Sequence, residues 1–578
     1  MRNRRVLRLV LTAAMVAVSV VLCRYFGFPT NGVYRIEIGF LPILAVAMMY
    51  GPVYGGVAYG LSDLVGAFVT TGVNPFITVC KVIFGAAMGA VFYKKPKIGA
   101  ARCTLFFVIC GITIDIVLMS PIFVYMFGYS WQSALSARAI GFAVNVPVRI
   151  ALTLLVSRYL GSFLMKYGDG TAVDFMAYAN SVQHTPRLGL DRMRDLCGML
   201  GDPQNDLRFI HVAGTNGKGS ICAFCEAILR EAGYKVGKFT SPNLICVNER
   251  ICVDGRDISD ADFDDILNRI KPYAEKCRKK HGEYPSQFEL WTAAALVYFK
   301  RKQCDYVVWE VGMGGEFDAT NVISDSVLAV FAHIDLDHMA YLGDTVEKIA
   351  ETKSRIIKKN STVVSAVQYD TVAGILRREA ENNGCRFIQT TRTELKSHDG
   401  IYEIFDYGDM TDIRLSLGGV YQPTNAAVAI EAAKCLGIDE VTIRKGLASA
   451  VHRARFEKIG CDPDVIYDGA HNPDGMRVFK ASVDRYYRGA RTVVFACMHD
   501  KDFIPSLKTL NDGNSTFIFT TVANNSRAMP ADELCRIAGE NGIAGTYAND
   551  LKSAIVAAKQ NGLPVFVCGS LYLYKDLW

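Results

Sequence analysis

Two spacings of apolar residues divide the chain. Up to residue 166 they come in long blocks, at 6–23, 36–51, 53–70, 73–93, 103–126 and 140–165. Blocks of about 18 residues or more can cross a bilayer as helices, so this part predicts six membrane spans. The second and third blocks are short and rich in Gly and Pro, which predicts tilted or broken helices there. Met1 to Arg5 is basic and Val6 to Cys23 apolar, the layout of a signal peptide, but five more blocks follow, so the segment reads as a first span that is kept.

After the polar, glycine-bearing joint Tyr167 to Thr171 the long blocks stop. Short apolar runs alternate with amphipathic stretches, with strands expected at 208–212, 235–239, 305–311, 327–333, 361–366, 464–467, 491–497, 515–522 and 564–568. That alternation predicts a mostly parallel sheet covered by helices on both faces, and a second, smaller α/β unit from near residue 456. The expected organisation is a six-helix transmembrane domain at 1–167, a linker at 168–176, a central α/β domain at 177–455 and a C-terminal α/β domain at 456–578.

Charge changes the picture of the first part. It holds 15 Lys and Arg against Glu37, Asp63 and Asp115, a net of +12, which leaves the remainder at −6 of the chain's total of +6. The basic residues flank apolar segments, so they report membrane orientation rather than affinity for nucleic acid. With six spans, the N-terminus, the loop from Lys94 to Arg102 and Lys166 share one side, and the positive-inside rule makes that side the cytoplasm. Everything after residue 167 is then expected in the cytoplasm. Asp63, Lys81, Asp115 and Arg149 fall inside expected spans, where an ionisable group lines a solute site, forms a structural ion pair or sits at the interface. Ala13 and Ala17 allow a second helix to approach the first, inside this domain or from another membrane subunit. The 17 Cys are odd in number and scattered, a reduced pattern rather than a disulfide framework, and Cys222 and Cys225 read as core thiols.

The candidate chemistry centres on Arg208-Phe-Ile-His-Val-Ala-Gly-Thr-Asn-Gly-Lys-Gly-Ser220. A short apolar strand leads into a glycine turn, and a helix follows with Ile221, Phe224, Cys225, Ile228 and Leu229 on one face. Free N–H groups at the helix start, the Lys218 charge and the Ser220 hydroxyl form a phosphate and Mg2+ site; the alternative is a glycine turn without a ligand. The stretch departs from the common P-loop, with Val212 where a Gly is usual and Gly219 where Ser or Thr follows the lysine. Glu310 ends one expected strand, His333, Asp335, Asp337 and His338 cluster after the next, and Asp468, His471 and Asn472 follow a third. Open α/β sheets bind ligands beyond such strand ends. Glu310 reads as a Mg2+ ligand or base, or else as a cap or ion-pair partner, and Arg455 is placed to reach a phosphate as a rigid fork. No Ser/His or Cys/His pair suggests a protein nucleophile. A rival reading makes the soluble part a transport ATPase, since Leu415-Ser-Leu-Gly-Gly419 has part of a transporter signature; its extra Leu and the Val-Gly after Glu310 argue against it.

These motifs, with Gly189-Leu-Asp-Arg-Met193, Thr240-Ser-Pro-Asn-Leu244, Glu249-Arg-Ile251, Glu310 to Asn321, Asp337-His338 with Leu342-Gly343, Gln422 with Asn425, Arg455-Phe-Glu457, Asp468 to Pro473 and His499 to Asp502, resemble the folylpolyglutamate synthase family, including the bifunctional dihydrofolate synthases, in the Mur-ligase-like group. The resemblance covers about residues 172–578. It implies a P-loop domain followed by a Rossmann-like C-terminal domain, ATP and Mg2+ as cofactors, and folate and L-glutamate as substrates joined through an acyl phosphate. It also implies catalytic roles for Lys218, Lys353, His338 and Arg455. ATP contacts are implied at Asn216, Gly217, Lys218, Gly219, Ser220, Asn425, Arg455, Asp468 and His471, Mg2+ ligands at Ser241, Glu310, His338 and Ser220, and substrate contacts at Phe288, Glu289, Asp318 and Asn321. Lys353 falls at the family's carbamylated lysine, in an altered setting, Thr352-Lys-Ser-Arg355. Tyr421 replaces the customary His before Gln422, and Glu316 a customary Arg.

The first part resembles the substrate-binding S components of energy-coupling factor transporters, folate type closest, in its length, its six spans and the runs Ile38 to Pro42, Tyr50 to Gly56 and Ser62 to Gly66. Val73 to Thr78 departs from the folate members' usual segment, which leaves the solute open. That family implies a separate membrane coupling subunit and its ATPases as partners. The combined expectation is a multi-pass membrane protein, in contact with lipid, that takes up folate and glutamylates it; the open alternatives are a membrane part that only anchors the ligase, or one that carries another vitamin.

Overall fold

The computed structural model describes residues 2–25, 28–30, 34–36, 38–70, 73–93, 95, 98–161, 164, 189–499 and 501–578. The expected linker at 168–176, Lys166 and most of the Lys94–Lys97 loop lie outside them. The chain forms two compact units, Met1–Tyr178 and Ala179–Trp578.

In the first unit the apolar blocks become helices Arg2–Tyr25, Phe40–Tyr50, Pro52–Thr70, Pro75–Phe92, Ala100–Phe127 and Trp131–Tyr159, with β1 (Phe28–Thr30) and β2 (Tyr34–Ile36) paired antiparallel between the first two. Among the described residues, three helices are long and apolar enough to cross a membrane: Pro75–Phe92, Ala100–Phe127 and Trp131–Tyr159. Arg8–Cys23 and Phe40–Tyr50 are shorter apolar helices. Pro52–Thr70 and Pro75–Phe92 pack backbone to backbone at Gly55 and Gly85. A methyl on Gly55 would lie 2.5 Å from the Gly85 carbonyl, so the crossing needs residues without a Cβ. Phe40, Phe84, Phe92, Phe106 and Phe107 form an aromatic centre.

The ionisable groups expected inside spans have partners. Arg149 donates to Asp115 at 2.8 Å, and Asp115 lies in a π-helical turn, Gly111–Leu118, inside the fifth helix. Thr78 donates to Asp63 at 2.8 Å, and Lys81 to the Tyr59 hydroxyl at 3.4 Å. Ala13 and Ala17 are exposed on the first helix.

The second unit is built on an eight-stranded sheet of β3 (Phe209–Ala213), β4 (Val236–Phe239), β5 (Ile251–Val253), β6 (Arg256–Asp257), β7 (Tyr306–Glu310), β8 (Leu328–Phe331), β9 (Thr362–Ser365) and β10 (Arg386–Gln389). The order is β10-β9-β8-β3-β7-β4-β5-β6, parallel except at β5 and β6. The central strands β3, β7 and β8 are buried along their whole length, as their mostly apolar sequences require, with His211 and Glu310 the polar exceptions. The edge strand β6 has two residues, both charged and exposed. The helix Lys218–Glu231 follows β3 and buries Ile221, Phe224, Cys225, Ile228 and Leu229 as the spacing predicts. Cys222 and Cys225 are free, buried thiols.

A second sheet holds β14 (Glu457–Gly460), β15 (Val465–Tyr467), β16 (Arg491–Phe495), β17 (Ser515–Phe519), β18 (Gly545–Tyr547) and β19 (Val565–Cys568) in the order β14-β15-β19-β16-β17-β18, parallel apart from β14. The sequence reading missed a three-stranded antiparallel sheet, β11 (Glu394–Asp399), β12 (Tyr402–Tyr407) and β13 (Met410–Arg414). Every residue of β11 is exposed; Phe405, Tyr407, Met410 and Ile413 from the other two strands join the core around helices Lys218–Glu231 and Gln422–Cys435.

Candidate active site

Because β3, β4, β7 and β8 are parallel neighbours, the loops after them share one edge of the sheet. There they meet the loops after β15, β16 and β19 around a cleft of about 1240 Å3. The glycine turn lies at its floor. Gly214 and Gly217 take φ of +144° and +93°, which side chains disfavour, and a methyl on Gly217 would sit 2.3 Å from Asn425 Oδ1. A methyl on Gly219 would come 2.6 Å from His452 Nε2, which accounts for glycine where an ordinary P-loop has Ser or Thr. Thr215 ties the turn to the loop after β8, donating to the Asp335 carbonyl at 2.8 Å and accepting from the Asp335 amide at 3.0 Å.

Two ammonium groups converge on one carbonyl. Lys218 donates to Gly214 O and Thr215 O, each at 3.0 Å, and Lys353 donates to Gly214 O at 2.9 Å. Burial, followed by repulsion from Lys218, pushes Lys353 down to about 7. Lys353 borders a small cavity of about 20 Å3 beside the main cleft, shared with Lys218, Asp337 and His338.

Glu310 ends β7 facing the cleft and is 3% exposed; burial raises its pKa against the pull of Lys218 and of the Ser241 amide, which donates to Oε2 at 2.8 Å. Ser220 accepts from Gln422 Nε2 at 3.2 Å. His338 has φ of +50°, and burial lowers its pKa although Asp337 opposes this. Burial works against the charge of Asp337, but His338, Lys501 and His471 outweigh it and hold that carboxyl low.

The C-terminal part closes the cleft from the other side. Asp468, after β15, is 4% exposed and accepts from the Tyr421 hydroxyl at 2.6 Å, the Phe456 amide at 2.9 Å and the Ala470 amide at 2.8 Å. Burial raises its pKa, with Arg455 and Tyr421 opposing. His471 bonds the Gly469 carbonyl through Nδ1 at 2.8 Å. Asn472 caps the helix Pro473–Tyr486 and exchanges hydrogen bonds with Asn216 at 3.2 and 3.3 Å, so the glycine turn is joined directly to the C-terminal part.

The structure thus brings Asn216, Gly217, Lys218, Gly219, Ser220, Ser241, Phe288, Glu289, Glu310, Asp318, His338, Asn425, Arg455, Asp468 and His471 to one cleft. Lys353 stands just behind it, and Asn321 is buried away from the lining, donating to the carbonyls of Glu316 and Arg355. Glu289 and Asp318 line the cleft with carboxylates already engaged by the protein. Glu289 forms a capping box with Ser286 and pairs with Arg192, while Asp318 accepts from Met313 N and Thr320 N. His333, Asp335 and Asp474 approach within 4.8 Å of one another, but Asp474 is held by Arg477 and Asn216 and Asp335 by Tyr369. Sequence reasoning gave no role to Thr215, Tyr421, Asp337 or Lys501. Asp337 and Lys501 stood inside motifs already noted, whereas the Thr215 bond depends on loop pairing that no spacing reveals.

Residues 212–433 match the Mur ligase middle domain, residues 454–571 the Mur ligase glutamate ligase domain, and residues 7–157 the substrate-specific component of ECF transporters. Fold and cleft therefore define the second unit as a Mur-type ligase. The chain is 34% identical to the dihydrofolate synthase/folylpolyglutamate synthase of Bacillus subtilis over 412 residues, 67% of this chain and 94% of that protein. It is 32% identical to the folylpolyglutamate synthase of Lacticaseibacillus casei, over 69% of this chain and 96% of that protein. The structure of Mycobacterium tuberculosis folylpolyglutamate synthase complexed with ADP and AMPPCP superposes with a TM-score of 0.65 at 27% identity, covering 71% of this chain and 97% of that one. The chain belongs to the dihydrofolate synthase/folylpolyglutamate synthase family.

Proposed function

We propose that the second unit adds L-glutamate to the γ-carboxyl of a folate at the expense of ATP. The observation that carries this reading is the convergence of Lys218, Glu310, Arg455 and the glycine turn on one cleft, in a chain of this family. A carboxylate is a poor acyl donor. In the first step its oxygen bonds to the γ-phosphorus of ATP, the bond from that phosphorus to the bridging oxygen breaks, and ADP leaves. In the second step the glutamate nitrogen bonds to the acyl carbon, the bond to phosphate breaks, and inorganic phosphate and a proton depart. The protein's part is positioning and charge neutralisation. Lys218 and the N–H groups opening the helix hold phosphate oxygens, Arg455 approaches from the opposite wall, and Asn216, Asn425, Asp468 and His471 shape the nucleotide's surroundings. Phe288, Glu289, Asp318 and Asn321 are proposed to form or support the folate end.

A buried carboxylate with hydroxyl oxygens nearby is a donor set that suits Mg2+, so Glu310, Ser220 and Ser241, with His338, are proposed to hold it. Bound there, the ion would supply positive charge to phosphate oxygens. Lys353 is the lysine open to carbamylation, because an amine pushed to about 7 is substantially neutral near physiological pH.

For the first unit we propose six spans, with the ligase on the cytoplasmic face and domain limits at 1–167, 168–176, 177–455 and 456–578. It is proposed to carry folate inward with a coupling subunit and its ATPases, so that uptake and trapping lie on one chain. The test uses the full chain in detergent, with ATP, Mg2+, reduced folate and labelled glutamate. Incorporation into folate is expected; activity on a different acid would overturn the substrate. Labelled folate uptake in cells that supply the coupling subunits tests the first unit, and its absence would overturn folate transport in favour of an anchor or a carrier of another vitamin.

A further inference from the structure

Arg455 stands between two residues with backbone in the left-handed region, Ala454 at φ +58° and Phe456 at φ +43°. Neither is glycine, and such a pair persists only where the surroundings enforce it. Two carboxylates do so: Glu457 accepts from the Ala454 amide at 2.6 Å, and Asp468 from the Phe456 amide at 2.9 Å. The adjoining Gly469 completes the fit, since a methyl there would lie 2.6 Å from Arg455 Nη1. Asp468 in turn is oriented from the central domain by Tyr421, whose hydroxyl donates at 2.6 Å. Tyr421 immediately precedes the helix Gln422–Cys435, whose first turn touches the glycine turn twice, through Gln422 on Ser220 and Asn425 over Gly217. One rigid element therefore contacts the phosphate loop on one side and the support of Arg455 on the other.

We infer that Tyr421 is a positioning residue for nucleotide binding, holding Asp468 so that the strained Arg455 segment keeps a fixed place relative to the phosphate loop. The inference rests on the proposed use of this cleft for a nucleotide, and it holds whichever acid is ligated. Phenylalanine at 421 keeps the ring and removes the donor. Asp468 is then left with two amide donors and the Arg455 charge, in surroundings that otherwise include Tyr467 and Cys568. A buried carboxylate that loses a donor protonates at higher pH, and a protonated Asp468 no longer balances Arg455.

The test measures ADP affinity of the full chain in detergent by calorimetry from pH 6 to 9, for the unaltered chain, Tyr421→Phe, Tyr421→His, Arg455→Ala and the double variant Tyr421→Phe/Arg455→Ala. Tyr421→Phe is expected to weaken ADP about tenfold, most strongly at the acid end, with the pH midpoint moved upward. Tyr421→His, which keeps a ring N–H donor, is expected to recover part of the loss. In the Arg455→Ala background the Tyr421→Phe change should have little further effect, because both act through the same guanidinium. An equal loss in both backgrounds, or an unchanged affinity and pH midpoint, would overturn the inference. Failure of the unaltered chain to bind ADP would sink the nucleotide reading and this inference with it, whereas ADP binding without folate ligation would remove the proposed substrate alone.

Discussion

At the scale of single residues, the two lysines at Gly214 have different tasks. Lys218 lines the cleft, and its replacement by alanine is expected to lower ligation on the order of 100-fold, as removal of one preorganised donor to developing charge typically does; initial rates at saturating folate check this. Lys353 is buried, and its pH signature follows from that. Its folded pKa, about 7, lies below the ordinary value of 10.5. Between those limits the unfolded chain binds a proton that the folded chain lacks, so stability from this group rises with pH from about 7 toward 10.5 and is lost as pH falls. Lys353→Met should flatten that rise, by an amount on the order of 5 kcal/mol across the window. Thermal midpoints of the two proteins compared at pH 7 and pH 9.5 decide it, and parallel curves would contradict the assignment.

At the scale of elements, the glycine turn was legible because its surroundings were. Buried parallel strands leave short, mostly apolar runs between amphipathic helices, so β3, β4, β7, β8, β9, β15, β16, β17 and β19 all fall on expected positions. The strand β11 could not be found in this way, since Glu394 to Asp399 is exposed and has no apolar run. The strained backbone at Ala454 and Phe456 was equally hidden, because nothing in an Ala-Arg-Phe triplet signals positive φ. Gly219 looked like a departure from a motif, and its cause lies in the His452 ring packed against it. Restoring the common residue with Gly219→Ser should therefore destabilise the unit by about 1–3 kcal/mol, the usual cost of overpacking, and weaken ADP. Adding His452→Ala should recover much of both losses, which denaturant titration and calorimetry would reveal as non-additivity.

At the scale of the whole molecule, the chain couples two environments with different rules for charge. In the first unit the Asp115 and Arg149 pair is mostly shielded, with side chains 22% and 6% exposed. Arg149→Ala leaves a carboxylate inside an apolar helix packing and should destabilise that unit by roughly 3 kcal/mol; Asp115→Asn with Arg149→Gln should cost less, because no charge is stranded. Unfolding in detergent, followed by accessibility of the buried Cys103 and Cys110, measures the difference. Function at this scale separates too. Cells carrying Lys218→Ala are expected to take up labelled folate at the unaltered initial rate and then to lose it on washing, and retention equal to the unaltered chain would contradict trapping by the second unit.

The charged two-residue strand at the border of the large sheet has a consequence for such an arrangement. A protein attached to a membrane is confined to a surface, where copies meet far more often than in free solution. An open sheet border with a long apolar strand would then recruit the same border of a neighbour. Arg256 and Asp257 offer too few free backbone groups, and too much hydration, for that pairing to begin. That border of the sheet therefore gives a neighbouring copy no strand to extend.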